Sequence, residues 1–153
     1  MLPKERTSPI RMVIPLILIC LSPTGFGESI NEEIATRTSA LKDLVASIEG
    51  EPKEPPRIFR TREGYLRFIG TPPSTHFGVE AAKRGTAQDA ANAFLERWRN
   101  LFVNESPFVG FKTVRIKTSD SRSYVRYQQT YAGLEVFAAE MIVQVNEFGG
   151  ISN

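Results

Sequence analysis

The sequence predicts an α+β unit in which one long helix packs on a small antiparallel sheet, behind an export signal and an amphipathic N-terminal helix. Three observations predict it. Apolar residues recur at helical spacing from Thr86 to about Phe102. Beyond Val114 apolar and polar residues alternate, with turn residues between the runs. Near the N-terminus a short apolar run follows basic residues. A period near 3.6 gathers apolar side chains on one helix stripe, and a period of two gathers them on one sheet face. A long helix followed by a meander buries both surfaces by lying across the dry face of the sheet.

The leader comes first. Lys4 to Arg11 is basic, Met12 to Leu21 is apolar, and Pro23, Gly25 and Gly27 follow. This pattern reads as a secretory signal over residues 1–27, cleaved at Gly27–Glu28. About ten apolar residues fall short of the roughly 20 that span a bilayer, so no stable membrane anchor is expected. An uncleaved anchor is the alternative. Lipidation at Cys20 is disfavoured because Ile19 stands where a small residue is needed. Export places the product in the periplasm or the medium.

Ser29 to Glu49 has Ile30, Ile34, Leu41, Leu44, Val45 and Ile48 on one stripe, an amphipathic helix ended by Gly50. Glu51-Pro-Lys-Glu-Pro-Pro56 then reads as a stiff polar linker, so residues 28–61 form helix plus linker and 62–153 the main unit. The helix either packs on that unit or serves as a docking or spacer arm. Gly64–Ile69 reads as a short strand, and the following loop carries His76. Thr86-Ala-Gln-Asp89 has the form of a capping box, with Asp in place of Glu. After it, Ala87, Ala90, Ala91, Phe94, Leu95, Trp98, Leu101 and Phe102 predict a continuous helix. Val114 and Ile116 open a strand, Tyr124–Tyr131 make a second, Ala132-Gly133 turn the chain, and Ala139–Val145 make a third. Gly149-Gly-Ile-Ser-Asn153 reads as a turn into a strand that does not arrive, so the unit is expected to be truncated at its C-terminus or to be a stand-alone form.

Composition narrows the function. Of the 153 residues, 41% are hydrophobic and 24% charged, sufficient for one core. The net charge of +2 comes from the leader: removing Lys4, Arg6, Arg11 and Glu5 from 19 basic and 17 acidic residues leaves 16 of each. No nucleic-acid partner is expected from a neutral chain without a basic block. The single cysteine, Cys20, lies in the leader, which leaves the processed chain with no thiol for disulfides, metals or nucleophilic attack. One histidine cannot form His-Glu-x-x-His, no Gly-x-Ser-x-Gly elbow occurs, and no glycine-rich phosphate loop follows a strand. The expectation is a chain that is no enzyme and has no cofactor. Asn104-Glu-Ser106 is formally a glycosylation sequon, disfavoured by Pro107.

The stretch Val125-Arg-Tyr-Gln-Gln-Thr-Tyr-Ala-Gly-Leu-Glu-Val-Phe137 resembles the propeptide motif of fungalysin/thermolysin-type metalloproteases. Arg126, Tyr127, Gln129, Tyr131, Gly133, Leu134, Val136 and Phe137 fill that pattern without a gap, and Ala138-Ala139 stand where the family often has glycines. The resemblance covers roughly residues 62–153. It implies the prodomain of a secreted zinc metalloprotease precursor, an intramolecular chaperone and inhibitor of a cognate thermolysin-like zinc metalloprotease domain, in cis or in trans. A stand-alone secreted module that inhibits a protease in trans is the alternative. Beside the resemblance, the residues themselves suggest that Gly133 is needed for a tight turn where a side chain would obstruct. They also suggest that Gln129 satisfies backbone groups at that turn, that Val136 and Phe137 anchor the returning strand by burial, and that Gln128 is dispensable to the fold.

Overall fold

The computed structural model describes residues 25–78 and 85–152. Helix α1 (Gly25–Ala46) is followed by β1 (Ile48–Glu49), the hairpin β2 (Arg57–Arg60) and β3 (Leu66–Gly70), and β4 (His76–Phe77). Then come α2 (Ala87–Arg97), α3 (Arg99–Phe102), β5 (Val109–Ser119), β6 (Arg122–Tyr131), β7 (Leu134–Asn146) and β8 (Ile151–Ser152). The order β1-β4-β8-β7-β6-β5 makes one six-stranded antiparallel sheet, and β2 and β3 form a separate two-stranded one.

The mixture of helix and antiparallel sheet agrees with the sequence, but the proportions do not. Strand residues outnumber helical ones, the sheet is not small, and the helix expected from Thr86 to Phe102 is broken. Trp98, at φ −112° and ψ 21°, ends α2 and begins α3. The break has a tertiary cause. Helix α2 contacts β6, β7 and β8, whereas α3 turns toward α1 and β3, which a straight continuation along the sheet would not reach. Packing of Leu101, 1% exposed, overrides an unbroken apolar period. The capping box is present as read: Thr86 Oγ1 accepts from Asp89 N, and the Asp89 carboxylate accepts from Thr86 N. The Thr86 N–H bond first, and second the Thr86 hydroxyl, which donates to Asp89 Oδ2 at 2.8 Å, hold the Asp89 carboxyl below its ordinary range.

One apolar cluster joins the layers. Phe94, Leu95, Ala90 and Ala91 of α2 lie against Val125, Tyr127, Val143 and Val145 of the sheet, with Phe77 and Ile151 beside them. Leu41 and Leu44 of α1 belong to the same cluster, so α1 packs on the unit and is not a free arm. Arg37, 7% exposed, secures it to the β2–β3 hairpin. Its guanidinium donates to Glu63 O at 3.2 Å, to Tyr65 Oη at 2.7 Å and to Glu33 Oε2 at 2.8 Å, and it stacks 4.0 Å from the Tyr65 ring centroid. A buried cation is tolerated because each of these groups replaces lost hydration.

Several elements differ from the sequence reading. Strand β2 follows the Pro-rich linker directly, where no strand was expected. His76 lies on β4 and not in a loop; its ring covers Gly150, where a Cβ would overlap it, and Nε2 stands 3.4 Å from Glu49 Oε2. The strand expected not to arrive after Gly150 is present as β8, with Ile151 paired to Val145 and Phe77. The expected leader falls on residues 1–27, of which 1–24 lie outside the described residues. Gly27 and Glu28, the expected cleavage point, fall in the first turn of α1. Among the described residues no helix is long and apolar enough to cross a membrane.

Candidate functional site

The residues of the motif do not converge on a cleft. They run along β6, around its turn and back up β7, and they divide by face. Tyr127 is on the covered face, 1% exposed, paired with Thr113 and Met141. Its hydroxyl donates to Asn92 Oδ1 of α2 at 2.7 Å. Burial pushes its phenol up to about 12, offset in part by the Thr113 hydroxyl. Arg126, one residue away, faces outward and stands 3.4 Å from Glu140. Both partners are 46% exposed, so the ion pair adds little stability.

At the end of the hairpin Ala132 (φ 48°) and Gly133 (φ 82°) are both left-handed. A two-residue loop with two positive φ values is a type I′ turn, whose twist matches that of the strands it joins. Here the sequence reading requires correction. A Cβ at Gly133 would meet nothing within 4 Å, so the glycine serves its φ and not close packing. The turn is tied to the preceding loop where Ala132 N donates to Phe108 O at 2.7 Å.

Beyond the turn β7 leaves the ladder. Thr130 pairs with Glu135 and Gln128 with Glu140, so two steps on β6 oppose five on β7. The surplus residues form a wide bulge, with Ala138 left-handed at φ 56°. The Gln128 side-chain amide closes its neck, donating to Val136 O at 2.6 Å, to Ala139 O at 3.2 Å and to Gln129 O at 3.1 Å. Gln128, expected to be dispensable, therefore performs the backbone role expected of Gln129. Because both are glutamines, only the register of β6 against β7 distinguishes them. The small pair at Ala138-Ala139 did carry a signal: Ala138 takes a positive φ, which a small side chain tolerates best.

Phe137, expected with Val136 to anchor the strand by burial, is expelled by the bulge, and Leu134 and Tyr131 at the turn are exposed as well. Phe137 is 98% exposed, Leu134 76% and Tyr131 52%, and Val136 is half-buried. Tyr131 is aligned with Leu134 on one side and Val109 on the other, and Phe108, itself 59% exposed, lies 6.0 Å from the Tyr131 ring. Sequence reasoning missed Phe108, which lies outside the motif in sequence and beside it in space. Grouped exposed aromatic and aliphatic side chains of this kind mark interaction surfaces in soluble proteins. Chemically, the surface offers apolar anchors on a braced turn and no nucleophile. Among the described residues no group of three or more His, Cys, Asp or Glu side chains is arranged to hold a metal ion.

No curated protein and no solved structure matches the chain. Residues 110–153, the run that forms all but the first residue of β5 and then β6, β7 and β8, match a family model, and that family is the Fungalysin/Thermolysin Propeptide Motif.

Proposed function

We propose that this chain is the non-catalytic prodomain of a secreted zinc metalloprotease precursor, which assists folding of a thermolysin-like protease domain and holds it inactive. In this reading residues 1–27 are the export leader, removed at Gly27–Glu28; residues 28–61 carry α1 and the linker; and 62–153 are the propeptide unit. The product acts in the periplasm or the medium. The observation that carries the reading is the exposed group of Tyr131, Leu134 and Phe137 at the matched motif, joined by Phe108. Burying three or four such side chains against a partner stabilises a complex by several kcal/mol in gross terms, at roughly 1.5–3 kcal/mol each. Ordering and desolvation costs reduce the net gain.

Arg126, Tyr127, Gln129, Gly133 and Val136 act in this reading as the frame that presents the surface. The wide bulge and its Gln128 brace hold Phe137 outward without a partner, so little ordering remains to be done on docking. A second reading, a stand-alone inhibitor acting in trans, is favoured by the apolar cluster that joins α1, α2 and the sheet.

The test is a titration of the purified chain against a thermolysin-like protease, with peptide hydrolysis as readout, alongside refolding of the denatured protease with and without the chain. A stoichiometric loss of rate and a raised refolding yield are expected. Both effects fall at least tenfold in Leu134→Ser/Phe137→Ser, whose own melting is unchanged. A folded chain that alters neither rate nor yield overturns the reading.

A further inference from the structure

The two faces of the β2–β3 hairpin are both apolar, and only one of them is covered. On the inner face Ile58 and Ile69, opposite each other, pack against the core cluster, and Leu66 is buried in it. On the outer face Phe59 and Phe68, also opposite each other, are 63% and 38% exposed, with ring centroids 5.9 Å apart. A bulge makes this division possible. One step from Phe59 to Arg60 opposes two steps from Phe68 to Leu66, so Leu66 turns inward although an outward phenylalanine lies two residues away.

The charge of the hairpin is as uneven as its burial. From Arg57 to Gly70 the charged residues are Arg57, Arg60, Arg62 and Arg67 against Glu63, four less one, a local excess of three. All four arginines are exposed, and none of them forms an ion pair among the described residues. Arg67 and Phe68 also border the cavity between the hairpin and the main sheet, whereas Arg57, Phe59, Arg60 and Arg62 do not. The greater part of the patch thus lies on the side away from that cavity. Arg37 braces the hairpin from α1 through Glu63 O and Tyr65 Oη, so little ordering remains when a partner meets the outer face.

We propose that the outer face of this hairpin is a peripheral membrane-binding surface for a bilayer rich in anionic phospholipid. The cations of the hairpin are all arginines, whose guanidinium pairs with phosphate through two parallel N–H bonds where lysine acts as a point charge. Exposed rings beside such cations enter the boundary between headgroups and acyl chains, while the charges stay at the level of the phosphates. The rings favour this occupant over the other polyanions. Nucleic-acid bases stack on open ring faces, whereas these two rings meet at 54° and shield one another as a single apolar knob. An acidic peptide answers the arginines and leaves the knob in water. The contact lies on the bilayer without spanning it. It uses no residue of the Tyr131–Phe137 tip and does not depend on the reading of that tip.

The test sediments the full chain with vesicles of phosphatidylcholine, alone or mixed with phosphatidylglycerol. Binding to the mixed vesicles is expected, weakening as salt is raised. Arg57→Gln/Arg60→Gln lowers the partition roughly 25-fold, at about fivefold for each arginine near an anionic surface, with melting unchanged. The leader read at residues 1–27 is itself basic and apolar, so position is measured as well. With brominated phosphatidylcholine in the mixed vesicles, the emission of Phe59→Trp is quenched, and that of the native chain, from Trp98 at 8% exposure, is not. Phe137→Ser leaves binding unaltered. Absence of binding overturns the proposal, as does pelleting of Phe59→Trp without quenching, which would assign adsorption to the leader. Equal partition of Arg57→Gln/Arg60→Gln overturns it too. So does release from the vesicles by polyglutamate or single-stranded DNA at matched charge, which would make the face a site for a different polyanion.

Discussion

Beneath α2 the β5–β6–β7 meander buries Val125, Tyr127, Val143 and Val145 to between 0 and 5% exposure, whereas at its other end Tyr131, Leu134 and Phe137 stand at 52 to 98%. Both regions are apolar and aromatic, and both belong to the same strands. What separates them is cover. Helix α2 lays Ala90, Ala91, Phe94 and Leu95 over the covered end, and the β7 bulge turns Phe137 away from that face. Hydrophobicity in the sequence reports that a side chain gains by leaving water; it does not say whether its own chain or another provides the shelter.

The comparison is broken most severely from the covered side. Phe94, 3% exposed, contacts both Phe77 and Phe102 at ring separations of 5.8 and 6.1 Å. Phe94→Ala is expected to cost about 3–5 kcal/mol in denaturant unfolding, from lost transfer energy and the cavity left behind. If the tip were equally part of the core, Phe137→Ala would cost as much.

Next in size is the titration of Tyr127. Its folded pKa, near 12, lies above the ordinary 10.0, so the neutral phenol stabilises the fold. That contribution is complete below pH 10 and is lost as pH rises from 10 through 12, by at most about 3 kcal/mol. The melting temperature should fall across this window more steeply for the native chain than for Tyr127→Phe, which has no proton to lose. Equal slopes would place the loss elsewhere.

At the turn, Gly133→Val carries a left-handed penalty of roughly 1–2 kcal/mol, because its φ of 82° suits glycine while open space surrounds it. The unfolding that a steric obstruction would bring is not expected, and a thermal melt distinguishes the two. Gln128→Ala ranks lower, at about 1 kcal/mol. Its sign is local: the amides of Val136–Ala139 should exchange faster while those of Val125 and Val143 keep their protection.

How much of this was legible follows from the range of each signal. The Thr86–Asp89 cap, the Ala132-Gly133 turn and the three long strands depend on neighbours a few residues apart, and the sequence carried them. Of the stripe read from Ser29 to Glu49, Leu41 and Leu44 are buried, whereas Ile30 is exposed and Ile48-Glu49 form β1 and do not extend the helix. The break at Trp98 depends on α1 and β3, which are distant in sequence. The pairing of β4 with β1 and β8 joins residues 48, 77 and 151, and two-residue strands have no periodicity to read. The bulge was hidden most completely. Val136 and Phe137 are an apolar pair in a strand-like run, and only the offset of Gln128–Thr130 against Glu135–Glu140 shows that they leave the ladder.

The smallest stability effect sharpens the comparison most. Phe137→Ser removes a large apolar side chain and replaces it with a polar one, a change that in the covered half of the same sheet would be among the most damaging available. At 98% exposure the ring has little burial to lose, so the change should leave unfolding within about 0.5 kcal/mol of the native chain. Phe108 and Tyr131 keep their 6.0 Å contact without it. Solubility should rise, since the largest exposed apolar group at the tip is gone. A destabilisation of 2 kcal/mol or more, read by urea unfolding, would mean that Phe137 packs on the chain in solution. The distinction between a region that builds the fold and one that is held out from it would then fail at the residue where it is drawn most sharply.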